Sequence, residues 1–432
     1  MLALRLARGA HPGVQLRRLL VATASAATGF LLLGTLGHAL AHQDSPGGSA
    51  LRLAWCVAPL AATVYFAVTV ARTDPGTRPR PGLSAIGLGP GRLMAVSATT
   101  TALSCTLGSM LALLFFLHLR GDLTGMPFDG DAADFLAADR PLPLPAALTL
   151  LTLVPVAASI SVALVLRPRD ARRPRATGSR AAATARVPRS AAPRTAPVRA
   201  SAPPSAPVAD TSETPDEDSA PTTDPHALPA PRTTPRDLPW GIAVLAAGLA
   251  VEAYAARAPH TRLAMPGGAA GSPAAVLVGW TLTALGLALA GPGLAHLCGR
   301  LLQAVRPGAL RLLAGRVLME EATRIGRPLG VVCAVASGAY AMAALYDADD
   351  PSLGPLTTLG ALVVAGCAVA TLLTAAAEAR RARADTTAAL VRLGAPATTL
   401  RTAAGLRAAA LIALFAPLTL LIAELAALPL TA

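Results

Sequence analysis

There is no lysine in this chain of 432 residues; all 37 basic side chains are arginine. A Walker A loop needs Gly-Lys-Ser/Thr to hold phosphate. The chain therefore cannot carry one, and any ATP hydrolysis tied to it must reside in another polypeptide. Charged residues are also scarce, 14% of the total against about 25% in a soluble domain. Aromatic residues make up only 3%, while 53% of the chain is hydrophobic. The apolar residues come in blocks of roughly 20, the length that crosses a ~30 Å hydrocarbon core. A soluble globular protein is excluded on these grounds, and the fold class expected is an all-α integral membrane protein. No CxxC pair occurs. The five cysteines, Cys56, Cys105, Cys298, Cys333 and Cys367, lie in or beside apolar blocks and read as small core residues rather than disulfides or metal ligands. His38 and His42 are spaced i, i+4 with Asp44 following, but no third ligand of known geometry accompanies them. Neither a metal nor another cofactor is expected. The net charge of +13 goes with an excess of alanine, proline and arginine that fits a GC-rich coding bias. It is not read as a sign of a nucleic-acid partner; the partner implied by composition is the lipid bilayer.

Nine candidate spans can be counted, at about 19–41, 51–71, 93–117, 143–166, 239–256, 273–297, 328–346, 356–376 and 403–428. The connections between them alternate in charge. Arginines precede span one and fill the connections after spans two, six and eight; acids (Asp122, Asp129, Asp131, Asp134, Asp139 and Asp347, Asp349, Asp350) follow spans three and seven. The positive-inside rule then puts the N-terminus in the cytoplasm and the C-terminus outside a cell membrane. The basic start followed by an apolar run resembles a signal peptide. The run is nearer 20 residues than the 7–15 of such a segment, so a retained anchor is expected. Residues 167–238, rich in Pro, Ala, Ser, Thr and Arg, contain almost no large apolar side chains. Such a segment cannot bury enough surface to fold and is expected to be a disordered cytoplasmic linker.

A long-range repeat organises the rest. "ALRLARG" at residues 3–9 returns as "ALRLLAG" at 309–315, and Arg18 has its counterpart in Arg324 at the same offset. Leu83, Ile86, Gly87 and Leu93 match Leu390, Leu393, Gly394 and Leu400 one position further on. Each unit reads as a basic lead-in, a span, a short outer turn, a span, a polar cytoplasmic segment and a span. Both start inside, so the repeat is parallel, unlike the inverted pairs of many secondary transporters. The expected organisation is a first unit at 1–166 with four spans, the linker at 167–238, a two-span insert at 239–298 and a second unit at 299–432 with three spans.

The segment "ALVRLGAPATTLR", residues 389–401, lies between spans eight and nine and is too polar to cross a membrane. Leu390, Leu393, Ala397 and Leu400 fall at helical spacing and would share one stripe. Asp385, Arg392 and Thr399 share another. Gly394 and Pro396 mark a break, glycine favouring a helix end and proline a restart. A short helix with one greasy and one charged side can lie on the membrane or dock a partner; its presence in both units favours docking. Two acids, Glu252 and Glu424, lie within spans five and nine. An intramembrane acid is a functional candidate, but both fall near outer ends, where access to water predicts a snorkelling or pore-lining role. The small residues Gly286, Gly330, Gly338, Gly360 and Gly366 are expected to serve helix packing.

"RADTTAALVRLGAPATTLRTAAGL", residues 383–406, resembles the cytoplasmic segment of the FtsX-like permeases of ABC transporters. Arg383, Leu390, Leu393, Gly394, Ala395 and Leu400 match the family pattern. Arg392 lies one place from its usual arginine, and Asp385 is next to the position of its acid. The first copy, "RPRPGLSAIGLGPGRL", keeps Leu83, Ile86, Gly87 and Leu93 but has prolines where the acid belongs. The resemblance covers residues 1–118 and 309–428 in outline. It implies a permease subunit, not itself an enzyme. A cytoplasmic ATPase dimer would dock on these two segments and drive export or mechanical signalling. The chain differs from many members in that its outer turns, 42–50 and 347–355, are too short to hold an external domain, and its second unit has no closing span. The residues leave two other classes open: a proton-coupled secondary transporter working through Glu252 or Glu424, and a non-transporting membrane scaffold or sensor.

The charge pattern makes a direct prediction about sidedness. A cysteine introduced at Ser205 in the linker should resist an impermeant thiol reagent in whole cells and react after lysis. Labelling in intact cells would reverse the topology.

Overall fold

A computed structural model of the chain describes residues 12–74, 90–123, 136–167, 237–255, 272–304, 308–346 and 354–431, with a few residues more at 130, 132–133, 257 and 262–263. Residues 168–236 of the expected linker and the first-copy residues 75–89 lie outside the described residues. The helices are α1 (Pro12–Ala41), α2 (Pro46–Trp55), α3 (Val57–Thr73), α4 (Pro90–Arg120), α5 (Leu144–Leu166), α6 (Asp237–Ala255), α7 (Ala274–Ala304), α8 (Ala309–Tyr346), α9 (Pro355–Ala382), α10 (Ala384–Arg392) and α11 (Ala397–Thr431). Among the described residues nine helical segments are long and apolar enough to cross a membrane, with α2 and α3 together forming the second. They coincide with the nine spans read from the sequence, and the chain is a multi-pass membrane protein. The one sheet among the described residues is a two-residue antiparallel pairing, Arg262–Leu263 with Ser272–Pro273, between α6 and α7.

The helices are longer than the spans expected. The hydropathy pattern puts the seventh span at 328–346, yet α8 runs unbroken from Ala309 with Pro328 inside it. At 1.5 Å per residue its 38 residues reach about 57 Å, nearly twice the ~30 Å hydrocarbon core. The basic lead-in is thus continuous with the span rather than a separate surface helix. The same holds for α1, whose helix includes Arg17 and Arg18. Helix α7 likewise continues to Ala304, past the expected end of the insert at 298.

What is inside and what is outside follows from the solvent. Large apolar side chains such as Leu107, Phe115, Ile160, Leu164, Leu362 and Ile412 point outward, while Ser25, Thr28, Thr63, Cys105, Ser109 and Thr371 are buried. In a bilayer a leucine gains little by leaving lipid, so helices associate through small residues and interhelical hydrogen bonds. Ser25 Oγ donates to the Cys105 carbonyl across α1 and α4 at 2.9 Å, and Ser109 Oγ to that of Leu151 across α4 and α5 at 3.1 Å. Thr28 and Thr63 share a hydrogen bond of 2.8 Å between α1 and α3, and Thr63 also lies 3.9 Å from Cys367 Sγ on α9.

Helix α1 packs on α3, α4, α5 and α9; α8 packs on α7, α9 and α11; α6 packs chiefly on α7. So α1, α3 and α4 touch in the same order as α8, α9 and α11, and the middle members, α3 and α9, pack on each other. The tightest seam joins α7 and α8. A Cβ on Gly291 would fall on the Gly326 carbonyl, one on Gly326 on the Pro292 backbone, and one on Gly330 on the Leu287 carbonyl. Gly286 sits in the matching seam with α6, against the Leu245 backbone. By contrast Gly338 and Gly366 have open space at the Cβ position, and Gly360 meets only Leu31. The packing role expected of all five thus belongs to Gly286 and Gly330.

This difference is measurable within one helix. Gly326→Leu should lower thermal stability in detergent strongly, by more than the 1–3 kcal/mol or so of ordinary overpacking, because the obstruction is backbone. Gly338→Leu should be neutral or mildly stabilising through helix propensity. Equal melting of the two variants would refute a backbone-tight seam.

Candidate functional site

The polar segment between spans eight and nine grows out of the end of α9. Arg383 is at once the C-cap of α9 and the N-cap of α10. Its Nη1 pairs with Glu321 Oε2 of α8 at 2.5 Å, both side chains being largely shielded. Glu321 also lies in the field of Arg407 on α11 and of Arg324 one turn along α8. One carboxylate thus gathers cations from three helices at the place where α10 begins. A charge removed from water needs such compensation, and a bidentate-capable guanidinium is well suited to give it.

Helix α10 itself buries nothing. Leu390 is 36% exposed, Val391 51% and Leu393 84%, the last among the most exposed large apolar side chains described. Asp385 in the first turn and Arg392 in the last, both exposed, oppose the helix dipole favourably. The helix ends in a Schellman turn. Gly394 has φ +89°, its N–H donates to the Val391 carbonyl, and the Ala395 N–H donates to that of Leu390, both at 3.0 Å. Glycine meets the left-handed conformation without the Cβ penalty. Pro396 follows, and α11 begins at Ala397.

The break at Gly394 occurs where the sequence suggested it, but it divides the expected stripe. Leu390 and Leu393 end α10, whereas Ala397 and Leu400 belong to α11, with Ala395 and Leu400 half-buried. A single continuous apolar face through all four does not exist, because a left-handed residue redirects the chain between them. Of the first copy, Leu83, Ile86 and Gly87 lie outside the described residues. Leu93 is buried in the first turn of α4.

An ion pair that was not anticipated marks the corresponding place in the first half. Arg18 Nη2 of α1 meets Asp74 Oδ2, just after α3, at 2.7 Å, and Arg17 Nη1 donates to Thr73 Oγ1 at 3.3 Å. Both halves therefore tie the base of one long helix to the end of the next. The signs are reversed: cation on α1 and acid after α3, acid on α8 and cation after α9. A signal for both was present. Asp74 is the lone acid among the arginines of 72–92, and Glu320–Glu321 the sole acidic step in 299–327.

The two intramembrane acids are placed differently from each other. Glu424 of α11 is exposed and accepts a hydrogen bond from Tyr340 Oη of α8 at 2.6 Å. Glu252 is 1% exposed, which corrects the expectation of a snorkelling or pore-lining side chain. It is wedged between α6 and α7, its Oε1 accepting from Thr283 Oγ1 at 2.9 Å, while Oε2 has no hydrogen-bond partner. Gly279 makes room for it: a Cβ there would strike Glu252 Cγ. His38 and His42 stack at 4.0 Å between ring centroids, and no group of three metal-ligating side chains exists among the described residues.

The joint role of Glu321 and Arg383 can be isolated. Glu321→Ala and Arg383→Ala should each destabilise the detergent-purified chain, and the double variant should lose less than the sum. The coupling energy expected is about 0.5–3 kcal/mol; strictly additive losses would mean that the pair does not hold α8 to α9.

Comparison with protein-family models, with curated proteins and with solved structures yielded no match, so the chemistry of this segment stands on its own residues.

Proposed function

We propose that the chain is the permease subunit of an ABC transporter with FtsX-like organisation. In this reading a separate cytoplasmic ATPase dimer docks on α10 and on its first-half counterpart. ATP-driven closure of the ATPases then moves the helix bundle to export a substrate or transmit a mechanical signal. The observation that carries it is the exposed apolar end of α10: Leu390, Val391 and Leu393 lie uncovered on a short helix whose base is tied to α8 through Arg383 and Glu321. A loop that merely connected two spans would need neither uncovered leucines nor a shielded ion pair at its root. Amphipathic helices seat such side chains in grooves of a partner, and the tie gives a push on α10 a path into the long helix α8. The like order of packing in α1, α3, α4 and in α8, α9, α11 supports a parallel repeat with one docking segment per half. The absence of lysine supports hydrolysis in another subunit.

Proton-coupled transport is the second reading, favoured by the burial of Glu252 with one carboxylate oxygen unpartnered. It requires transport to survive ATP depletion and to stop in Glu252→Gln.

The docking reading predicts that Leu393→Asp leaves membrane insertion intact, since no span is altered, yet abolishes co-purification of the ATPase or coupled hydrolysis. A charge forced into an apolar contact costs several kcal/mol, on the order of a thousandfold in affinity. Ile86→Asp should act in the same direction more weakly, because the first copy lacks the acid and is interrupted by prolines. Wild-type capture of the ATPase and normal coupling by the Leu393→Asp protein would sink the proposal.

A further inference from the structure

Helices α1 and α9 run antiparallel and touch at both ends but part in between. At one end Gly34 faces Leu356 and Leu31 faces Gly360; at the other, Gly13 of α1 lies 3.7 Å from Arg381 Nη2 of α9, measured from where its Cβ would stand. The parting leaves an open groove of about 250 Å³ with Leu20, Ala24 and Ala27 on one wall, Leu362 and Ala370 on the other, and Phe66 of α3 at its floor. Gly366, also on the α9 wall, has nothing within 4 Å of its Cβ position, so space rather than packing occupies that side. From Leu20 to Ala27 the groove runs along α1 for about 10 Å, a third of the hydrocarbon core. It begins one turn from Arg17.

Two cations lie beyond that end of the groove. Arg17 and Arg381 are close enough to act on each other as like charges, with Asp74 the acid that also reaches Arg17. Asp74 is engaged by Arg18 at 2.7 Å, and Glu378, one turn before Arg381, has its own partner. Arg381 makes no ion pair among the described residues.

We infer that this groove holds an anionic phospholipid, one acyl chain lying between α1 and α9 and the phosphate between Arg17 and Arg381. Two neighbouring arginines beyond one end of an apolar, lipid-open slot match a ligand that is anionic at one end and hydrocarbon at the other. A soluble anion would use the arginines and leave the slot empty; a neutral lipid would fill the slot and leave the repulsion uncompensated. The inference needs a membrane but no ATPase partner, so it stands apart from the permease reading.

Native mass spectrometry of the full chain in detergent, titrated with phosphatidylglycerol, phosphatidylcholine or glycerol phosphate, tests it. Two arginines at about fivefold each should give phosphatidylglycerol a preference of roughly 25-fold over phosphatidylcholine. Arg17→Gln with Arg381→Gln should bring the two lipids within about twofold, while Arg392→Gln, the removal of a single charge on α10, should leave the preference intact. Gly366→Phe should fill the slot and reduce binding of both lipids without loss of folded protein by size exclusion. Glycerol phosphate binding as tightly as the intact lipid would show a headgroup site without a chain groove, and the inference would be wrong. So would retention of the preference in the double arginine variant. A dimer that Gly366→Phe splits would assign the groove to a second copy and equally overturn it.

Discussion

The scarcity of any energetic gain from burying leucine in lipid governs this structure. Outside the membrane, the apolar runs of this chain would collapse on themselves. Inside it they are already solvated, and helix contacts must come from close backbone approach and from polar atoms that lipid cannot satisfy. The α7–α8 seam of Gly291, Gly326 and Gly330, and the hydroxyl links from Ser25, Thr28, Thr63 and Ser109, are the two forms this takes here. Large side chains are left to face outward, the reverse of a soluble core.

The same constraint sorts the charges. Arginines and acids collect largely beyond the apolar windows, and at Arg18, Glu321 and Arg383 the charge close to a span is paired. The two pairs do more than neutralise. Each joins helices that are separate in sequence at the level where the polar segments leave the bundle. In the second half the joined position is a single residue, Arg383, shared by the end of α9 and the start of α10.

How much of this was legible beforehand depended on the range of the interaction. Span number and approximate position follow from local hydropathy, and all nine agreed. The end of α10 at Gly394 was readable because a left-handed glycine followed by proline is a local signal. Packing partners were not. Whether Gly338 or Gly330 meets a neighbouring backbone depends on which face of α8 turns toward α7, and nothing local states that. Glu252 was misread for the same reason: its distance from the helix end said water, but the opposing glycine at 279, far along the chain, encloses it. The extent of α8 was underestimated because its arginine-rich start looks like surface when hydropathy alone is weighed. The Arg18–Asp74 and Glu321–Arg383 pairs required knowing which helices adjoin, although the isolated acids among arginines hinted at both.

The length of α8 has a consequence for the bilayer itself. A rod of about 57 Å across a ~30 Å core leaves a good part of itself outside hydrocarbon at its arginine-rich end. Counted back from Tyr346, about 20 residues at 1.5 Å each fill the core and end near Gly326, which puts Glu321 between one and two turns beyond this boundary. Thickening the hydrocarbon would draw that boundary toward Glu321 and Arg383; thinning it would leave them in the aqueous layer. Tilt offers a partial escape, at a modest cost per ångström of mismatch. Membrane thickness thus acts on the same ionic joint that roots α10, so the lipid composition around the protein bears on how firmly that helix is held.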